Sequence, residues 1–200
     1  MQRRDALRRL ALAASLGATT ATAWVTALTE LAHAHAPGAR PQSSATWQPK
    51  VFTAHYNETI VTLTELIIPQ TDTVGAKAAE VNVFIDTILN DAGTAEREAF
   101  LRGLSWIDDR SRELFGTTFI TAEPSEQTAL LTVISSEDNQ SMSDRIGVEF
   151  FQALKELTVT GYYTSEVGML EELGDDGGLD FDDDPGCQHP EHQRHEGSAQ

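Results

Sequence analysis

The densest cluster of chemistry-bearing side chains is Cys187-Gln188-His189-Pro190-Glu191-His192-Gln193-Arg194-His195. A thiol and three imidazoles at this spacing are ligand types that zinc or copper would accept. Pro190 interrupts the run, however, and neither a CxxC nor a helical HxxxH supports it. The segment therefore reads as a solvated tail or a partner-docking segment, not a metal centre. Just upstream, Glu171 to Asp184 holds eight acids and no basic residue. DDGGLDFDDD lacks the ordered ligand spacing and terminal bidentate Glu of a calcium loop, so these carboxylates are expected to be solvated. Thr71, Asp72 and Thr73 could form a ligand-contacting loop, but after a proline-ended helix such residues more often bond the local backbone and cap the next element. Tyr162 and Tyr163 fit either an ordinary core or an interface anchor. Neither a phosphate-cradling glycine loop nor a local nucleophile signature occurs. No catalytic, cofactor-binding or metal-ligating residue is assigned to this chain.

The start of the chain, MQRRDALRR, reads as an address. Arg3 and Arg4, followed by Leu7, approximate a twin-arginine export motif. Leu10 to Leu28 is a weakly apolar run, and Ala32-His33-Ala34 supplies a small-x-small cleavage site, placing a signal peptide over 1–34. That route carries folded proteins and makes the twin-arginine translocase a partner.

The chain has 200 residues and a net charge of −17. The first 34 residues hold four basic and two acidic side chains, so the remainder carries about −19. Nucleic acid and anionic membrane surfaces would repel such a charge, and no nucleic-acid role is expected. A halophilic source fits the acidity equally. Cys187 is the only cysteine. In an oxidising compartment it is a free thiol or bonded to another chain.

The elements behind these groups read as helices. Residues 35–56 form a polar linker. From Asn57, an apparent N-cap, Ile60, Leu63 and Ile67 share one face until Pro69. Val81, Phe84, Ile85, Ile88 and Leu89 mark a core-facing helix ending near Gly93. The next spans Thr94 to Phe115, with Phe100, Leu104, Ile107 and Leu114 inward and Gly116 as its stop. Pro124 opens a helix with Leu130, Leu131 and Ile134 inside. The last spans Asp144 to Leu157 on Ile146, Phe150, Leu154 and Leu157. The expected fold is a small all-α bundle over 57–160, followed by an irregular acidic C-terminal tail over 161–200.

Three segments in this order, IIPQTDTVGAKAAEVNVFID, GYYTSEVG and GCQHPEH, resemble the gluconate 2-dehydrogenase subunit 3 family. Val74 stands where that family commonly has Pro, and the stretch from Gly168 to Gly186 is more acidic and glycine-rich. The resemblance implies a non-catalytic small subunit of a periplasmic dehydrogenase complex. It implies a large catalytic subunit carrying FAD, with an iron–sulfur cluster as a further expectation, and a multihaem cytochrome c carrying haem c. The small subunit would bring the export signal and support maturation of the large one, with membrane association through the cytochrome. Tyr162, Tyr163, Cys187 and His189 are then the expected partner-interface residues. Two other readings stand beside it: a free-standing exported helical binding or scaffold protein, and a metal-binding protein using the Cys/His tail.

Overall fold

A computed structural model describes residues 23–35, 47–136, 139 and 141–174. Among these residues the secondary structure is helical. The α-helices are α1 (Ala23–His35), α2 (Ala54–Ile67), α3 (Val81–Asp91), α4 (Thr94–Phe115), α5 (Pro124–Ser135) and α6 (Arg145–Tyr163). A 3-10 turn, Phe119–Thr121, lies between α4 and α5, and a π-helical turn, Gly168–Leu173, follows α6. The all-α expectation holds.

Helix α6 is the centre of the bundle and touches each of the other five α-helices. Its Phe150, Ala153, Leu154, Leu157 and Tyr162 are buried, on an apolar face long enough to serve several neighbours at once. Phe100 of α4 meets Phe150 edge-on, with ring centroids 5.0 Å apart. That is a favoured aromatic geometry and adds to the burial of both rings.

The ends of the elements are fixed by identifiable groups. Helix α2 is capped by Thr53, whose hydroxyl accepts the Tyr56 N–H at 3.2 Å, and not by Asn57. Asn57 lies one turn in and accepts from Asn82 Nδ2 at 2.9 Å. The C-terminal carbonyls of Leu89, Asn90 and Ala92 at the end of α3 accept from Arg97, which supplies the cation that end favours. Helix α4 runs over the expected residues and stops at Gly116 in the left-handed conformation. Helix α5 opens on Pro124 with a reciprocal capping box between Glu123 and Glu126.

Two residues expected inward are not. Leu114 is 49% exposed and Ile146 47%. Leu114 lies in the last turn of α4 and Ile146 in the first turn of α6, where the stripe runs past the edge of the facing helices. Helix α6 also continues six residues beyond Leu157, so Gly161, Tyr162 and Tyr163 are helical and not the start of an irregular tail. The acidic segment beyond Gly174 lies outside the described residues.

The N-terminal region brings the largest departure from expectation. Residues 23–34, assigned from sequence to the signal peptide, form most of α1, and α1 packs on α3, α4 and α6. Val25, Leu28 and Ala32 point into the core, Leu28 at 1% exposure and Ala32 at 0%. Burying Val25 and Leu28 contributes on the order of 3–6 kcal/mol. That is comparable to the whole net stability of an ordinary domain. Residues 1–22, and with them Arg3, Arg4 and Leu7, lie outside the described residues.

Asp86 holds the chain entering α2. Its carboxylate, 1% exposed, accepts three backbone N–H groups: Lys50 at 2.8 Å, Val51 at 3.0 Å and Phe52 at 3.1 Å. The part of the expected linker next to α2 is thus tied down. Three donors around one buried anion make it a strong anchor, because removal strands all three. Asp86→Ala is expected to lower unfolding stability by about 3 kcal/mol, with Asp86→Asn losing less. Urea titration followed by circular dichroism reads the difference.

Candidate partner-docking site

The loop between α2 and α3 is built from one carboxylate and one glycine. Pro69 prevents α2 from continuing, since it lacks an N–H and its ring clashes with the preceding turn. Glu65, in the last turn of α2, accepts the Gln70 N–H and the Lys77 N–H, each at 2.9 Å, and so ties both ends of the loop. A Cβ on Gly75 would come within 2.3 Å of Glu65 Oε1 and 2.6 Å of the Gln70 nitrogen. Only glycine leaves room for the carboxylate to bridge. Thr71 N–H donates to Thr73 O at 2.9 Å, and Thr71 Oγ1 donates to Asp72 Oδ1 at 2.8 Å. Thr71 and Asp72 thus bond within the loop, as expected, while the Thr73 hydroxyl reaches Glu172. They do not begin the next helix: Glu80, in a left-handed conformation, precedes α3 without a capping side chain.

The second motif, GYYTSEVG, closes on this loop. Tyr162 is fully buried, and its hydroxyl donates to Val74 O at 2.8 Å across 88 residues of sequence. Thr73 Oγ1 donates to Glu172 Oε2 at 2.8 Å. On the apolar side, Gly161 packs against Phe84, where a Cβ would meet Cδ1 at 2.6 Å. Ser165 then organises the exit from α6. Its hydroxyl donates to Tyr162 O at 2.6 Å and accepts the Gly168 N–H at 3.1 Å. The chain turns there into the π-helical segment, whose Leu170 and Leu173 are exposed.

These contacts correct one assignment and refine another. Tyr162 is a core residue that locks a loop, not a surface anchor. Its apolar ring is enclosed, and its one polar atom has found an internal acceptor. Tyr163 stays half-buried at the rim, with its ring edge-on to Tyr162 at 5.1 Å. Cys187 and His189 lie outside the described residues. Glu65 and Ser165 carry the local geometry, and neither stands out in the sequence. Glu65, ten residues before Gly75, has no spacing signature. The signal that was legible is the pairing of a proline-ended helix with a nearby glycine.

A second polar contact set lies apart from this junction. Asp108, buried in α4, pairs with His55 Nε2 and accepts the Phe119 N–H at 3.0 Å. Gln127 Nε2 donates to Phe119 O at 2.8 Å, so the same residue is held on both sides. These bonds fix the 3-10 turn against α4 and α5, and His55 ties α2 to the same carboxylate. Among the described residues no group of three or more His, Cys, Asp or Glu side chains could hold a metal ion.

Gathered at one end of the bundle are two sequence segments that are far apart in the chain and joined by bonds no random pair of loops would share. The arrangement ties the loop between α2 and α3 to the end of α6. The sequence matches the family model described as gluconate 2-dehydrogenase subunit 3 over residues 54–175, more than half of the chain, and the protein belongs to that family. The match takes in both converging segments. No curated protein and no solved structure matches the chain. The family is a subunit of a gluconate dehydrogenase-type complex, which implies catalytic partner subunits in other chains and an extracytoplasmic setting. Among the described residues no helix is long and apolar enough to cross a membrane.

The loop lock makes a graded prediction. Tyr162→Phe removes one hydrogen bond and leaves the Val74 carbonyl without that donor, costing about 1 kcal/mol. Gly75→Ala drives a methyl into the Glu65 carboxylate and is expected to cost about 2 kcal/mol, in the range for forced overpacking. Thermal melts of the two variants should fall in that order, and equal melting of all three proteins would remove the lock from the account.

Proposed function

We propose that this chain is the non-catalytic small subunit of an exported FAD-dependent dehydrogenase of the gluconate, sugar or polyol type. It carries the twin-arginine signal for the complex and supports assembly and stability of the large flavoprotein subunit. The large subunit holds FAD, with an iron–sulfur cluster as a further group, and a multihaem cytochrome c takes the electrons and brings membrane association. The observation that carries this reading is the family match over residues 54–175 in a chain that opens MQRRDALRR. Partner binding would add stability to this chain by mass action, and this chain to its partner by the same linkage.

The acidic segment beyond Gly174 carries many like charges and few apolar residues. In this reading it lies across the large subunit, with His189 at the contact and Cys187 bonded to a partner cysteine. A lone thiol that persists in an oxidising compartment is buried or bonded.

Export by proxy is the direct test. With Arg3 and Arg4 changed to Lys, and Arg8 and Arg9 replaced as well, dehydrogenase activity should remain in the cytoplasm. Activity measured in periplasmic and cytoplasmic fractions decides it, and unchanged periplasmic activity would overturn the shared-signal role. For Cys187, non-reducing electrophoresis of the native complex should show the two subunits migrating together and separating with reductant. A small subunit running alone, with its thiol open to alkylation, rules the bond out.

A further inference from the structure

We infer that helix α1 is a permanent element of the exported protein and that the leader is cut after Ala23, not after Ala34. The inference rests on the export reading above for its processing step and on the packing of α1 for its structural step.

The pattern within α1 is that of a core helix. Val25, Leu28 and Ala32 recur at i, i+3 and i+7 and are buried, while Thr26, Glu30 and His33 face solvent. Glu30 is accommodated because that face is the outside of a bundle. Helix α1 meets α3, α4 and α6, so it is enclosed by elements from three parts of the chain. Its last residue is fastened as well: one His35 ring nitrogen lies 2.9 Å from Leu31 O and the other 3.2 Å from Asp91 Oδ2 of α3.

A signal peptidase needs the residues before its cut in an accessible stretch with small side chains at alternate positions. Ala32-His33-Ala34 fails on access. Ala32 is fully buried and all three residues are helical, so cutting there requires pulling Val25, Leu28 and Ala32 out of the core. A protein exported already folded meets the peptidase in this state. Ala21-Thr22-Ala23 offers the same small-x-small pattern at the first residue of the helix, and Ala23 is exposed. Ending the leader there also leaves an apolar region of eleven residues, Leu10 to Thr20, within the 7–15 usual for such regions. The mature chain then begins at Trp24.

The test uses the full chain with its own leader, expressed in a bacterium with an active twin-arginine route. Intact mass and N-terminal sequencing of the periplasmic protein should give Trp24 as the first residue. His35, or any start beyond Trp24, overturns the inference, and an uncut Met1 overturns the cleavage site. Ala23→Gln should block or displace processing, whereas Ala34→Gln, at an exposed helical position, should leave it unchanged; the reverse pattern overturns the inference. The structural half is read without export, on full-length protein purified from the cytoplasm. Leu28→Ala should lower the melting temperature by about 10 °C, and Thr26→Ala should not move it. Equal melting of both variants overturns the place of α1 in the core. Protein that stays wholly cytoplasmic counts against the export reading alone, because the melts still report on α1.

Discussion

Everything in this bundle is arranged around helix α6, because one helix must bury a surface shared by five others. Such sharing is only feasible where backbones approach closely and side chains interdigitate without voids. The Phe100–Phe150 edge contact sets the approach of α4, and Gly161 lets α3 come in over Phe84. The same helix ends in the residues that lock the loop between α2 and α3. A disturbance of α6 would therefore reach both the core and the junction at its end, and the two cannot be tuned independently.

That junction is economical in its polar chemistry. Glu65, Tyr162 and Ser165 bond backbone groups here, and Thr73 Oγ1 donates to the Glu172 carboxylate. Bonds to backbone fix chain path instead of specifying a ligand. The family to which the chain belongs is a subunit family of a larger dehydrogenase complex. Val74, where the family commonly has proline, shows how the path is kept here: its carbonyl is held by a buried phenol, a constraint supplied from across the fold.

Much of the architecture could be read from residue spacing, and the failures have physical reasons. Helix α4 and the five core positions of α3 follow directly from apolar periodicity and a glycine stop. Thr53 and Asn57 are both capping types four residues apart, and only packing selects between them. Thr158 to Tyr163 contains β-branched residues, a glycine and two tyrosines, which argue against helix locally. Tertiary burial of Tyr162 and Thr158 overrides that preference. At the loop, proline and glycine announced a turn, but the carboxylate bridging it could be seen only in three dimensions. Helix α1 was hidden differently: alanine, leucine and threonine are equally at home in a leader and in a small core helix, so composition alone could not divide them.

The position of α1 has a consequence for when the fold can close. Its partner α6 begins more than a hundred residues later in the chain. Loop closure over such a distance must be completed before the contact returns any free energy. During synthesis the N-terminal helix can meet α3 and α4 first, but its packing is completed only once α6 has emerged from the ribosome. Full docking therefore marks a chain made at least through α6. A product cut short before α6 would leave Val25, Leu28 and Ala32 without that neighbour and offer chaperones or proteases an apolar stripe, so the same three side chains that help finish the core also record whether α6 has been made.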